Sequence, residues 1–194
     1  MKITVKEGGR ELLERYSRLP IAFMAKSYYQ HELVDGGLGG IKLTENRIHS
    51  PYIIDHDANE SPLDWPNKFA LTNWRIFLAY KDNCLAGGAA VACRTKGMNI
   101  LAGRNDISVL WDLRVHPGFR GQGVGPGLFQ SAVKWSEGKG LKFMKIETQN
   151  TNPTACKFYQ GQGCLLGEIN LQAYPGQDTD EVMLVWYYPL GGTG

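Results

Sequence analysis

The chain has 194 residues, 43% hydrophobic and 21% charged, a balance ordinary for a globular protein, and its length predicts one domain able to bury about 70% of the unfolded surface. Its 21 Lys and Arg are scattered among 19 Asp and Glu for a net charge of +2, which leaves no basic footprint for nucleic acid. No apolar run approaches the length of a membrane span, and the charged start Met1-Lys-Ile-Thr-Val-Lys-Glu lacks the apolar core of a signal peptide, so a cytoplasmic protein is expected.

In chain order, Ile3 to Val5 alternates as a short strand. From Glu11 to Leu33 the stripe of Leu12, Leu13, Tyr16 and Leu19 predicts a mostly helical stretch, broken at Pro20. Asp35-Gly-Gly-Leu-Gly-Gly40 is a turn. Residues 44–68 carry Pro51, Pro62 and Pro66 amid Asn, Asp, His and Ser, and read as a long surface loop where substrate contacts are expected. Trp74 to Tyr80, the turn Lys81-Asp-Asn-Cys84 and Leu85 to Arg94 form a hairpin, with Gly87-Gly88 marking a bulge. Ile107 to Val115 is the next strand. A helix follows over roughly Gly125 to Glu137, with Leu128, Ala132 and Trp135 on one face; Pro126 suits its first turn, and Gly138-Lys-Gly140 stops it. Lys142 to Thr148 is a strand, Pro153 to Gln160 a short helix, and Cys164 to Leu171 and Val182 to Tyr188 are strands. Leu190 to Gly194 reads as a flexible tail. Cys84, Cys93, Cys156 and Cys164 form no C-x-x-C pair and lack clustered His, so they are expected to be reduced, with no metal site and no nucleophile among them.

The segment from Leu110 to Gly125 points to chemistry. A strand ends at Val115, a Pro-containing turn follows, and Arg120 begins an R-x-x-G-x-G pattern that opens into the helix. Gly121, Gly123 and Gly125 let backbone N–H groups approach a ligand, the helix adds unpaired donors and a partial positive charge, and Arg120 adds a cationic fork. Arg120, Gly121, Gln122, Gly123, Val124 and Gly125 therefore make a pyrophosphate site. No glycine here is followed by Lys-Ser or Lys-Thr, as a P-loop requires. A dinucleotide G-x-G-x-x-G would put its third glycine on Pro126 or Leu128, and four residues, His116 to Phe119, separate the strand from the loop.

These residues resemble the GCN5-related N-acetyltransferase (GNAT) superfamily. The strand phrase D-[LI]-x-V-x-P is present as Asp112-Leu113-Arg114-Val115-His116-Pro117, followed by the R-x-x-G-x-G loop. The second half of the pattern runs Glu147-Thr-Gln-Asn-Thr-Asn152-Pro-Thr-Ala155-Cys-Lys-Phe158-Tyr159, then Gly163. This phrase, and the close Ala173-Tyr174 before an acidic loop and Val185-Trp186-Tyr187, is most similar to streptothricin acetyltransferases. Trp111 stands where those enzymes tend to carry an acid. The resemblance covers about residues 74 to 188. It implies an α/β (α+β) fold with a central mixed, mostly antiparallel twisted sheet of about six to seven strands and about four helices. It also implies one domain over 1–190, with 1–73 holding the N-terminal elements and substrate loop and 74–188 the cofactor core.

The implied function is N-acetylation with acetyl-CoA as cosubstrate and no metal. The acceptor is the primary amine of a small molecule, best a streptothricin-type antibiotic, and the protein is a monomer or homodimer. A protein N-terminal or lysine acetyltransferase, or a non-catalytic acyl-CoA sensor, is the alternative. The resemblance assigns the backbone of Leu113, Arg114 and Val115 and the side chain of Asn152 to the pantetheine arm, and Tyr159 to the thiolate as general acid. Glu147 matches a glutamate that related ribosomal-protein alanine acetyltransferases use toward the amine, and Asp112 is the second candidate base. Alternation puts Asp112 and Arg114 on one face, which also suits an ion pair. Asp178, Asp180 and Glu181, or Asp55, Asp57 and Glu60, are the acids available for a cationic substrate.

Overall fold

The computed structural model describes residues 2–58, 60–174 and 181–191. Its strands are β1 (Ile3–Gly8), β2 (Phe23–Leu33), β3 (Ile41–Ile54), β4 (Trp74–Lys81), β5 (Cys84–Cys93), β6 (Ile107–Val115), β7 (Phe143–Gln149), β8 (Leu165–Asn170) and β9 (Met183–Pro189). The helices are α1 (Leu13–Tyr16), α2 (Trp65–Lys68), α3 (Val124–Gly138) and α4 (Pro153–Gly161). Seven strands form one sheet in the order β1-β4-β5-β6-β7-β9-β8, and β2 and β3 form a separate ribbon. This is the α/β class and the strand and helix count that the sequence predicts. The chain clusters into two compact units, the first made of 1–22, 55–146 and 187–194, the second of 23–54 and 147–186.

In the first unit the β4–β5 hairpin turns through Asp82 and Asn83, both left-handed at φ 51° and 64°, the pairing that matches strand twist in a two-residue loop. The bulge expected at Gly87-Gly88 lies one residue earlier: Ala79 faces Gly87 and Tyr80 faces Leu85, so Ala86 is the extra residue. The two glycines serve packing instead. A Cβ on Gly87 would stand 2.7 Å from the Arg114 carbonyl oxygen and 2.9 Å from Val124, and one on Gly88 would stand 2.6 Å from the Tyr16 ring. Successive strand residues point to opposite faces, so these bare positions admit α3 on one side and Tyr16 on the other. Leu128, Phe129 and Ala132 of α3 are fully buried, and so are Tyr16, Ile76, Leu78 and Val91. The buried hydroxyls of Ser108 on β6 and Ser136 on α3 satisfy each other at 2.8 Å.

The region from Glu11 to Leu33 departs from the sequence expectation. Only a 3-10 turn over Arg10–Leu12 and the short α1 are helical, and from Phe23 the chain is strand β2. The Leu12, Leu13, Tyr16, Leu19 stripe is real and buried, but it ends before Pro20. Beyond it, Tyr28 and Tyr29 favour extended backbone, and β3 supplies the hydrogen-bond partners of the strand. The expected loop at 44–68 is likewise part strand, since β3 runs to Ile54 and pairs antiparallel with β2. Pro51 falls in the interrupted register between Arg47 and Tyr52, where a missing N–H breaks no ladder bond. Only after Asp55 does the predicted irregular segment appear, as short 3-10 turns and α2.

Within the second unit, Lys157 of α4 meets Glu45 of β3 at 2.6 Å, and Glu45 also accepts from Ser27. The buried Asn150 donates to the Tyr29 carbonyl and accepts from the Val182 N–H, holding β2 and the approach to β9. Cys93, Cys156 and Cys164 are buried thiols and Cys84 is exposed. Leu190, expected in a flexible tail, is instead buried and donates its N–H to the Lys142 carbonyl; residues 192–194 lie outside the described residues.

Candidate active site

Strand β6 is paired on both sides only as far as Leu110. Its parallel partnership with β7 covers Ile107 to Leu110, whereas its pairing with β5 continues to Val115. At Trp111 the β5 register slips, Val91 facing Leu110 and Ala90 facing Asp112, so a bulge sits where the second partner is lost. The His116 N–H donates to the Ala86 carbonyl. By the alternation of an antiparallel ladder, the amides of Asp112 and Arg114 then face β5, and those of Leu113 and Val115 face the edge that β7 does not cover.

The loop after this edge leaves backbone donors open. Gly121 and Gly123 adopt φ of 72° and 84°, a region that side-chain-bearing residues rarely enter. Nothing stands within 4 Å of where a Cβ on Gly121 would sit. Gly123 caps α3 with no side-chain hydrogen bond, so the first amides of a 15-residue helix keep their donors for a ligand. The loop is braced from beneath. Gln122 donates to the Gly118 carbonyl and accepts from Lys81 Nζ, while His116 Nδ1 accepts from the Gly118 N–H. Arg120 Nε donates to the Val115 carbonyl at 3.1 Å and Nη2 to the Ala22 carbonyl at 3.4 Å, which leaves the rest of its exposed guanidinium beside the loop.

Asp112 and Arg114 form the ion pair that their spacing suggested, and the pair is larger than the sequence indicates. The Arg114 guanidinium, 2% exposed, reaches Asp112 Oδ2 at 2.6 Å and grips both oxygens of Asp57 at 2.7 and 2.8 Å. It also donates to the Leu19 carbonyl and lies 5.3 Å from the centre of the Tyr16 ring. Burial pushes the Asp112 carboxyl up, against the pull of Arg114. Burial also works against the Arg114 charge, but Asp112 and Asp57 outweigh it and hold the guanidinium above its ordinary range. Asp57, 57 residues away in sequence, carries no local signal of this role. Glu60 pairs with Lys68 at 2.6 Å and Asp55 accepts from the Asp57 N–H, so the early acids are occupied by their own surroundings.

In the second unit, Asn152 caps α4, its side-chain oxygen accepting from the Ala155 N–H at 3.0 Å with Pro153 in the first turn. Tyr159, about two turns further along α4, is 7% exposed and packs edge-on against Phe158 with ring centres 5.1 Å apart. Glu147 and Gln149 share one face of β7, and between them stands Tyr174. Its hydroxyl donates to Glu147 Oε1 at 2.7 Å and accepts from Gln149 Nε2 at 3.1 Å. No local signal in the sequence joins Tyr174 to Glu147; they lie 27 residues apart and meet only through the fold. Glu181 accepts from the Thr151 hydroxyl, and Asp178 and Asp180 lie outside the described residues.

An uncapped helix start, left-handed glycines and an uncovered strand edge fit the pyrophosphate and amide arm of coenzyme A. Structural comparison points the same way. The fold is similar to nourseothricin acetyltransferase, with a TM-score of 0.75 at 22% identity over 97% of this chain and 99% of that one. It is also similar to a Bacillus anthracis str. Ames protein classed with the streptothricin acetyltransferases and solved with acetyl coenzyme A, at TM-score 0.76, 24% identity and 98% and 99% coverage. The acetyltransferase (GNAT) family model matches residues 45–164, and the chain belongs to that family. It is an N-acetyltransferase with acetyl-CoA as its cosubstrate. Among sequence relatives, streptothricin acetyltransferase A of Bacillus subtilis (strain 168) is 23% identical over 75% of this chain and 78% of its own length. Streptothricin acetyltransferase of Escherichia coli is 34% identical over 45% of this chain, which spans about half (51%) of that relative. Among the described residues no helix is long and apolar enough to cross a membrane, and no three His, Cys, Asp or Glu cluster as metal ligands.

Proposed function

We propose that the enzyme acetylates a primary amine of a small cationic molecule, with a streptothricin-type antibiotic as the leading acceptor. The observation that carries the reading of the cofactor site is the edge of β6 beyond Leu110, which runs directly into the glycine loop and the open start of α3. There the amides of Leu113 and Val115 pair with the pantetheine arm, Gly121 to Gly125 hold the pyrophosphate, and Arg120 adds charge at the rim. The choice of acceptor is supported by the two streptothricin acetyltransferase relatives.

Transfer then needs three proton and charge operations. Glu147 takes the amine proton as the nitrogen attacks the thioester carbon. The Val115 N–H stabilises the oxyanion of the tetrahedral intermediate. When the carbon–sulfur bond breaks, the phenol of Tyr159 gives its proton to the leaving thiolate, so the net movement is one proton from amine to thiol. Asp112 has no part in this scheme, because Arg114 already holds its carboxylate.

A thiol-release assay with acetyl-CoA and streptothricin, against a no-acceptor control, tests the acceptor. Acceptor-dependent release is expected, and release at background only would move the acceptor to other small amines or to peptide N-termini. Tyr159→Phe is expected to lower kcat by at least about tenfold with little change in acetyl-CoA affinity, and unchanged turnover would remove Tyr159 from the mechanism.

A further inference from the structure

We propose that Tyr174 is a positioning residue for Glu147: its hydroxyl fixes one oxygen of the carboxylate and leaves Oε2 to take the proton of the acceptor amine. The inference rests on the reading of Glu147 as the base.

A glutamate side chain has three rotatable bonds, and a base that samples several rotamers spends little time aligned with an amine. Glu147 stands near the end of β7, half-buried, with a single side-chain hydrogen bond among the described residues, the one from Tyr174 to Oε1 at 2.7 Å. That length suits a charge-assisted bond to a carboxylate. Oε2 accepts no hydrogen bond from the described residues.

Gln149 sets the direction of the tyrosine proton. Its amide Nε2, which can only donate, meets the Tyr174 oxygen at 3.1 Å. Glu147, as a carboxylate, can only accept. The one proton of the phenol therefore lies on the Glu147 side, and a chain of two bonds runs from Gln149 through Tyr174 to Glu147. Residues 147 and 149 stand on the same face of β7, so the strand itself presents both ends of the chain to one phenol. Burial, and then the charge of Glu147, push the Tyr174 phenol up from its ordinary value; Glu181 adds to this. Tyr174 accordingly keeps its proton and remains a donor throughout turnover, which separates its role from that assigned to Tyr159.

The test compares Tyr174→Phe, which keeps the ring, in the wild-type enzyme and in Glu147→Ala. Turnover of streptothricin is measured by thiol release, alongside acetyl-CoA affinity and thermal unfolding. If streptothricin is not turned over, the same comparison is run with the amine that the acceptor series identifies. In the wild-type background kcat is expected to fall by on the order of tenfold, the consequence of losing one hydrogen bond to a charged group, with acetyl-CoA affinity and Tm retained. In Glu147→Ala, Tyr174→Phe is expected to have no further effect on kcat. Unchanged kcat in Tyr174→Phe overturns the proposal, and so does an equal loss in both backgrounds, which would mark Tyr174 as an anchor for its own turn. Wild-type kcat in Glu147→Ala would instead remove the base, a failure of the underlying reading that is visible before Tyr174 is changed.

Discussion

Replacing Arg114 with Met is expected to destabilise the protein by about 3–5 kcal/mol, read from urea unfolding at neutral pH. The substitution preserves bulk but removes the cation that two carboxylates and a backbone carbonyl share at 2% exposure. Asp112, 6% exposed, is then a buried carboxylate that has lost its ion-pair partner. The pH dependence has a definite sign. Burial already raises the Asp112 carboxyl above its usual value, and losing Arg114 removes the opposing pull. A carboxyl raised in the folded state binds its proton more readily there than in the unfolded chain. Any stability it contributes is present below the ordinary carboxylate range and is lost as pH rises through the folded value. The deficit of the variant should therefore be smallest in acid and grow toward neutrality. Adding Asp112→Leu should recover part of the loss, whereas Asp57, 26% exposed, can return to water. A loss below about 1 kcal/mol would mean that the cluster behaves as a surface ion pair.

The second large effect belongs to the glycine loop. Gly123→Trp is expected to weaken acetyl-CoA binding by about a hundredfold or more in calorimetry. An L residue at φ 84° costs on the order of 1–3 kcal/mol, and relaxing that strain turns the helix-start amides away from the ligand. The nearest atom to a Cβ at Gly123 is Ile3 Cδ1 at 3.8 Å, an ordinary contact, so the first carbon of a side chain meets no clash and the left-handed backbone carries its penalty. Retained binding would overturn the loop assignment.

These two sites differ in how much of them was legible in the sequence. The loop is local: strand, turn, Arg120, glycines and helix occupy consecutive positions, and the predicted strand Ile107–Val115 and the helix near Gly125–Glu137 are found with bounds moved by a residue at most. The Arg114 cluster is half local. Asp112 is two residues away and alternation suggests it, but Asp57 and the Leu19 carbonyl arrive through the fold. The ribbon of β2 and β3 was missed because its evidence is relational. Neither strand buries a clean alternate face, and Pro51 argues against a strand until the gap in the ladder is known. Tyr174 illustrates the same limit, since a phenol and a carboxylate 27 residues apart become partners only when β7 and the turn after β8 have been placed.

The unpaired stretch of β6 has a consequence for the lifetime of the protein. Leu113 and Val115 present backbone groups that hydrate when no ligand is bound and pair when an amide-bearing ligand lies along them. A ligand that occupies this opening works as a removable eighth strand, and its binding energy adds to the folding energy. At a free acetyl-CoA concentration a hundred times its Kd, the gain is about 2.7 kcal/mol, a large share of a typical domain's margin. Under the cofactor reading proposed above, the folded population is expected to rise with acetyl-CoA, read as a Tm that climbs with ligand concentration.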